Sequence, residues 1–192
     1  MFASGSPSSG RRAGAVLGVD PGLTRCGYAV LVPDGRSRGT SMQAVAMGVI
    51  RTPATDPLPR RLAALHREIA ALIAEHSPAA VAVEQVFFQS NVRTAMSVGQ
   101  ASGVILSLAE MSGCEVAQYT PSQVKDVVAG WGGAGKEQVQ KMVQKRLGLS
   151  TLPRPADAAD AAAIAICHMS VAPFVRSTAL ASPSVVPARR RA

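Results

Sequence analysis

The sequence predicts an α/β fold, and two features of its apolar pattern carry this prediction. Short apolar runs that close on turn residues alternate with longer segments in which apolar residues recur at helical spacing. The chain has 192 residues, of which 47% are hydrophobic, so it is long enough for one domain with a substantial core. We expect this domain at residues 15–175, between a flexible N-terminal extension at 1–14 and a flexible basic tail at 176–192.

The first half of the domain is predicted to contain three strands, a helix and a fourth strand. Its first apolar run ends at Asp20 before Pro21 and Gly22, as expected of a buried strand that ends in a turn. Leucine and isoleucine recur at helical spacing between residues 60 and 76, which predicts a helix. The predicted strands are 15–20, 27–32, 43–51 and 79–86.

The second half adds one strand and four helices. A helix is predicted over residues 92–111 and a strand over 115–119. Pro121 suits the first turn of a further helix, with Thr120 as its cap. A glycine-rich break separates this helix from one at 136–147, and an alanine-rich helix follows Pro155 and extends through His168, for which we expect a structural role.

Composition argues against several classes of protein. No apolar run reaches the roughly 18 residues that a membrane span needs, and the first residues lack the apolar core of a secretory signal. We therefore expect a cytoplasmic protein. Cys26, Cys114 and Cys167 are odd in number and far apart, which argues against a disulfide framework and a zinc site, so we expect buried thiols.

The net charge of +8 is consistent with an acidic polymer as partner, but most of it lies in the tails. Segments 1–14 and 176–192 together carry six arginines and no acid, which leaves +2 on the body. Such tails bind phosphate non-specifically or only keep the protein soluble. Charge alone does not decide between these roles.

Four acidic residues stand out by position. Asp20 and Glu84 lie near the ends of predicted strands, and Asp157 and Asp160 are three residues apart near the start of the last helix, where they share a face. Clustered carboxylates repel one another unless a cation is present. Mg²⁺ prefers such oxygen ligands, and two ions flanking a scissile phosphate would activate water and stabilise the leaving oxygen.

Each of these acids also has a simpler interpretation. An Asp before Pro-Gly is commonly a turn former, and acids in the first turn of a helix are favoured by the helix dipole. The spacing alone leaves both interpretations open.

Four blocks of sequence resemble the RuvC family of Holliday-junction resolvases, in order, between residues 15 and 168. A related opening motif also occurs in actin-like ATPases, so the three later blocks make the resemblance specific. The blocks are VLGVDPGLTRCGY at 16–28, VEQVF at 83–87 with GQASG at 99–103, YTPSQVK at 119–125 with KEQVQKMV at 136–143, and ADAADA at 156–161 with AIAI at 163–166.

The resemblance implies a ribonuclease-H-like fold, in which a mixed five-stranded sheet is flanked by helices. It implies a homodimer that makes paired nicks in opposite strands of four-way junction DNA, with Mg²⁺ as cofactor (two ions per active site) and Mn²⁺ as a substitute. It also implies partnership with the RuvA–RuvB branch-migration complex. The catalytic and metal-binding residues that it implies are Asp20, Glu84, Asp157 and Asp160, with Lys125 and Lys136 as DNA contacts.

Other features leave alternatives open. Residues 130–136 nearly spell a P-loop, but Glu137 replaces the required Ser or Thr and a helix is expected before the loop, so we exclude nucleotide binding. Trp131 in this loop stacks on a base, is merely an exposed loop residue, or anchors packing against the protein. Phe87, three residues after Glu84, is predicted to wedge into an opened junction, and the alternative is a place in the core.

A stripe of small residues at Ala95, Gly99 and Gly103 predicts close helix packing, either across a twofold dimer or against the protein's own sheet. Three rival functions remain: a ribonuclease-H-like nuclease that acts on RNA or duplex, an actin-like ATP-binding protein, and a junction-binding module without catalysis. The second would need a further glycine-rich phosphate motif, and the third is disfavoured because no acid is missing.

Overall fold

The computed structural model describes the backbone of residues 12–34, 41–85 and 92–181, with side chains from 14 to 34, 41 to 85 and 95 to 172. Five strands and five helices follow one another in the predicted order. They are β1 (Arg12–Asp20), β2 (Arg25–Pro33), β3 (Met42–Arg51), α1 (Leu58–His76), β4 (Pro78–Glu84), α2 (Val92–Met111), β5 (Glu115–Tyr119), α3 (Pro121–Ala129), α4 (Lys136–Arg146) and α5 (Ala156–Ala181).

The predicted element bounds agree with the structure to within two residues, except at two ends. Strand β1 begins at Arg12, three residues before the predicted start, and α5 continues to Ala181, well beyond His168. The division of the chain into a domain at 15–175 and two flexible segments stays a prediction.

The sheet is mixed, as expected, with strand order β3-β2-β1-β4-β5. Strands β1, β4 and β5 run parallel, whereas β2 is antiparallel to both β1 and β3. Because the carboxyl ends of β1, β4 and β5 lie at the same edge, the start of β2 lies there as well. We call this the C-terminal edge of the sheet.

Both faces of the sheet are covered, and alternate side chains of each strand serve the two faces. On β1, Val16 contributes to one apolar cluster with α3, α4 and α5, whereas Leu17 and Val19 contribute to another with α1 and α2. Val, Leu, Ile and Ala therefore fill the core on both faces of the sheet, although the chain contains few aromatic residues.

Helix α5 lies unusually close to the sheet because two glycines face it. A Cβ on Gly18 of β1 would overlap the carbonyl oxygen of Ala161 and lie 2.8 Å from the Cβ of Ala165. A Cβ on Gly27 of β2 would overlap the Asp157 carbonyl and lie 3.2 Å from the Asp157 Cβ. The depth at which α5 packs is thus set by residues without side chains.

Several local predictions are confirmed. Thr120 caps α3 through a capping box, in which its hydroxyl accepts from the Gln123 amide at 3.1 Å and its amide donates to Gln123 Oε1 at 2.8 Å. His168 is buried, and its Nδ1 lies 2.9 Å from the Tyr119 hydroxyl, a structural contact. The three cysteines are free and buried. Among the described residues, none of the helices has both the length and the apolarity to cross a bilayer.

Candidate active site

Asp20 and Glu84 are neighbours at the C-terminal edge of the sheet because their strands pair in parallel. Val19 is opposite Val83 in this pairing, and the two acids are the next residues along β1 and β4. Glu84 is in turn paired with Tyr119 at the end of β5. The strand pairing thus places two carboxylates side by side where the backbone leaves the sheet.

Helix α5 contributes the other two acids from above the sheet. Asp157 and Asp160 lie in its first two turns, and the contact of Gly27 with Asp157 brings this end of the helix against the start of β2. Both aspartates are close enough to Asp20 to act on its ionisation. The structure therefore brings together all four acids that the sequence singled out.

The raised pKa of Asp20 shows that its ionised form is disfavoured in this group of acids. The pKa of Asp20 is raised from 3.8 to about 7, first by burial and then by the negative charges of Glu84, Asp160 and Asp157, against a lowering effect of Lys136. Burial and then Asp160 also raise the pKa of Glu84, against the lowering effect of Lys125 and Lys136. Ionised carboxylates in such a group require a compensating cation.

Basic side chains supply part of this compensation at α5. The Arg25 guanidinium donates to Asp157 Oδ2 through both Nε, at 3.0 Å, and Nη2, and these hydrogen bonds lower the pKa of Asp157. Lys136 Nζ lies 2.8 Å from Asp160 Oδ2, and the hydrogen bond raises the pKa of Lys136. Each aspartate of α5 is thus paired with a cation from another element.

A cleft beside these acids carries the two lysines predicted to contact DNA. Lys125 of α3 and Lys136 of α4 line it together with Glu84 and Asp160. Apolar residues form the remaining walls: Pro121, Val124, Val139, Ala163 and Ile164. Carboxylates and ammonium groups therefore share one opening.

The donor set fits a hard divalent cation. Carboxylate oxygens are the ligands that Mg²⁺ and Mn²⁺ accept, and such an ion would relieve the repulsion that raises the pKa of Asp20. Among the residues that the structure describes, however, no three acidic, histidine or cysteine side chains lie close enough together to bind one ion. Asp157 and Asp160 are turned toward Arg25 and Lys136 instead.

Comparison with known proteins identifies the family. The family model described as crossover junction endodeoxyribonuclease RuvC matches residues 16–168. A protein of that description from Syntrophomonas wolfei is 51% identical over 154 residues, which cover 80% of this chain and 87% of the relative. Another, from Rhodococcus opacus, is 48% identical over 176 residues, which cover 92% of each chain.

The chain belongs to the RuvC family.

Solved RuvC structures agree with this assignment. The structure of Thermus thermophilus RuvC matches with a TM-score of 0.77 and 37% identity, over 84% of this chain and 96% of that chain. The same protein in complex with a Holliday junction substrate matches with a TM-score of 0.76 and 36% identity, over 85% and 96%. The chain therefore has the ribonuclease-H-like RuvC fold and is a crossover junction endodeoxyribonuclease, a class of nuclease that is generally metal-dependent.

The structure tests two interpretations of the loop at residues 130–136. The P-loop interpretation of residues 130–136 is excluded as predicted, because helix α3 and not a strand precedes the loop. Trp131 is exposed in that loop, so it is not a core anchor. Phe87 lies outside the described residues, and its role stays a prediction.

Arg25 is the site residue that the sequence analysis missed, although it lies within the RuvC opening block. Arg25 is the first residue of β2 and lies two residues before Gly27, which pairs with Asp20 at the end of β1. This position was the available signal, since the turn returns the chain to the C-terminal edge of the sheet. Its partner Asp157 is 132 residues away in sequence. No local pattern indicates that contact.

Proposed function

We propose that this protein resolves Holliday junctions by hydrolysing one phosphodiester bond in each of two opposite strands, during recombination and repair of DNA. The observation that carries the proposal is the convergence of Asp20, Glu84, Asp157 and Asp160 at one sheet edge, beside a cleft lined by two lysines. The complex of Thermus thermophilus RuvC with a Holliday junction substrate supports the choice of DNA.

The proposed cofactor is Mg²⁺, with two ions per active site held by the four acids, and Mn²⁺ as a substitute. When bound, such ions supply a nucleophilic water at neutral pH and stabilise charge on the phosphate and the leaving oxygen. The acids would hold the ions, and their attachment to strand ends and to α5 fixes the spacing of their backbones. Lys125 and Lys136 would bind the oxygens of the scissile or an adjacent phosphate.

The decisive experiment compares substrates under metal control. The purified protein is incubated with a synthetic four-way junction, a matched duplex and a matched RNA–DNA hybrid, each with Mg²⁺, Mn²⁺ or EDTA. We expect symmetric nicks in the junction only, and only with metal. Cleavage of duplex or hybrid at comparable rates would favour a general ribonuclease-H-like nuclease, and junction cleavage in EDTA would refute the metal-dependent mechanism.

A homodimer built on α2 is the proposed assembly, because two symmetric cuts require two sites related by a twofold axis. In the predicted stripe Ala95 is buried, whereas Gly99 and Gly103 are exposed, and a Cβ on either glycine would meet nothing within 4 Å. These two positions therefore do not pack on the protein's own sheet. Exposed Met96 and Met111 on the same helix add apolar surface of the kind that interfaces bury.

Sedimentation measures this assembly directly. We expect a dimer at micromolar concentration, and Gly103→Glu should shift it toward monomer because the added charge would have to be buried. Gln138→Glu, at an exposed position of α4, is the matched control and should remain dimeric. A wild-type monomer both with and without junction DNA would rule the proposal out.

Family membership supports two further proposals. One is that the RuvA–RuvB branch-migration complex is a partner, which co-sedimentation on a four-way junction would test. The other is that the protein acts in the cytoplasm, where cell fractionation should find it. Recovery in a membrane fraction would contradict the second proposal.

A further inference from the structure

Two of the four acids are already engaged by cations of the protein itself, and the Asp157 pair has the more specific geometry. Both Nε and Nη2 of Arg25 donate to the same oxygen of Asp157, Oδ2. The Arg25 side chain is 41% exposed and that of Asp157 26% exposed, so the pair lies at the mouth of the site. Among the described residues, Asp20 and Glu84 take part in no ion pair of this kind.

A guanidinium and a divalent cation compete when they use the same carboxylate. A carboxylate offers about four lone-pair positions on two oxygens, and the two donors of Arg25 take both positions on Oδ2. A metal ion bound to Asp157 would also place two further positive charges beside the guanidinium, and the two cations would repel each other. The Arg25–Asp157 pair is therefore more stable in the metal-free protein than in the metal-bound protein.

We infer that Arg25 competes with the metal for Asp157: it holds this carboxylate in the metal-free protein and leaves it when an ion binds there. The inference rests on the proposed metal site and deepens it. It assigns the two ions unequal affinities, because an ion at Asp20 and Glu84 displaces no arginine whereas one that uses Asp157 does. Arg25 is a positioning residue in this scheme, since it acts through Asp157.

Calorimetric titration of the full-length, DNA-free protein with Mn²⁺ tests the inference without any cleavage measurement. The variants are Arg25→Gln, Arg25→Lys and Arg51→Gln. Arg51 is the matched control, because it is paired with Arg25 across β2 and β3 and is exposed at the same edge of the sheet. Its substitution removes the same charge from the same region without touching the Arg25–Asp157 pair.

We expect Arg25→Gln to bind the weaker of two Mn²⁺ ions about two- to fivefold more tightly than wild type, the factor that a partly exposed ion pair represents. Arg51→Gln should bind close to wild type. Arg25→Lys should bind the weaker Mn²⁺ ion with an affinity between those of Arg25→Gln and Arg51→Gln, because lysine keeps the charge and loses the double hydrogen bond.

Weaker Mn²⁺ binding in Arg25→Gln than in wild type would overturn the inference, as this result would make Arg25 a support for the metal ligand. An equal gain in Arg25→Gln and Arg51→Gln would also overturn it, because the effect would then be one of net charge. Titration of Asp20→Asn separates the two proposals. Unchanged binding in that variant refutes the proposed metal site, whereas lost binding there together with an unchanged Arg25→Gln refutes only the role of Arg25.

Discussion

Replacing Asp20 by asparagine is expected to stabilise the metal-free protein. The pKa of Asp20 is raised from 3.8 to about 7 by burial and by the three neighbouring carboxylates, so its ionised form is disfavoured in the folded state. An unfolded chain does not impose this penalty. The penalty is absent below pH 3.8, grows as the pH rises, and is complete above pH 7. Asparagine mimics the neutral acid and therefore removes this penalty.

The size of the effect follows from the two pKa values. At pH 8 the linkage relation gives about 4 kcal/mol of stability regained by Asp20→Asn. At pH 5 the folded-state carboxyl is already protonated and the unfolded one is not, so the gain falls to about 2 kcal/mol. Mg²⁺ should narrow the difference at pH 8, because an ion that binds only the folded wild type stabilises it by mass action.

Urea unfolding followed by circular dichroism, in EDTA at pH 8 and pH 5, measures both values. Glu68→Gln on the exposed face of α1 is the control for loss of one negative charge and should change the free energy of unfolding by less than about 0.5 kcal/mol. Equal or lower stability of Asp20→Asn at pH 8 would refute the reasoning, as would a gain that does not shrink at pH 5. Cleavage by the same variant should be lost, since a proposed metal ligand is removed.

Three further substitutions test other parts of the site. Gly18→Ala should lower the free energy of unfolding in urea by about 1–3 kcal/mol, because the added methyl group would overlap the Ala161 carbonyl. Junction cleavage should fall as well. Unchanged stability would contradict the close approach of α5. Phe87→Ala should leave the melting temperature nearly unchanged, reduce cleavage of a closed junction strongly and spare a junction opened by unpaired bases. A loss of roughly 3–5 kcal/mol with both substrates affected alike would instead place Phe87 in the core. Lys136→Met should weaken junction binding and reduce the slope of the logarithm of the binding constant against the logarithm of salt concentration by about one. Fluorescence anisotropy in EDTA measures this slope. An unchanged slope would show that Lys136 does not contact a phosphate.

Much of the fold was predictable because its elements have clear sequence boundaries. Helix α2 and strand β5 have the predicted ends, and α3 begins at the capping box that Thr120 indicated. The end of α5 was not predictable from pattern. Nearly every residue from Ala158 to His168 is buried, so the helix is apolar on all sides and shows no change of periodicity at which to place an end.

The site was predictable to the extent that local sequence determines it. The positions of Asp20 and Glu84 follow from the ends of their strands, and the shared face of Asp157 and Asp160 follows from helical spacing. The pairing of Arg25 with Asp157 depends on the height of α5 above β2, which Gly27 sets. Such a distance is a property of tertiary packing, and neither residue's neighbours in sequence encode it.

The close packing of α5 on the sheet also limits how this protein can be made more heat-resistant. A usual strategy enlarges small core residues to fill space, and the alanines of α5 are an obvious target. The carbonyl oxygen of Ala161 and the methyl group of Ala165 lie directly over Gly18 of β1, however, so a larger side chain at Ala165 would lift the helix and carry Asp157 and Asp160 away from Asp20. Selection for thermostability along α5 should therefore yield well-folded variants that have lost cleavage, and improvements compatible with activity should be sought on α1 and α4.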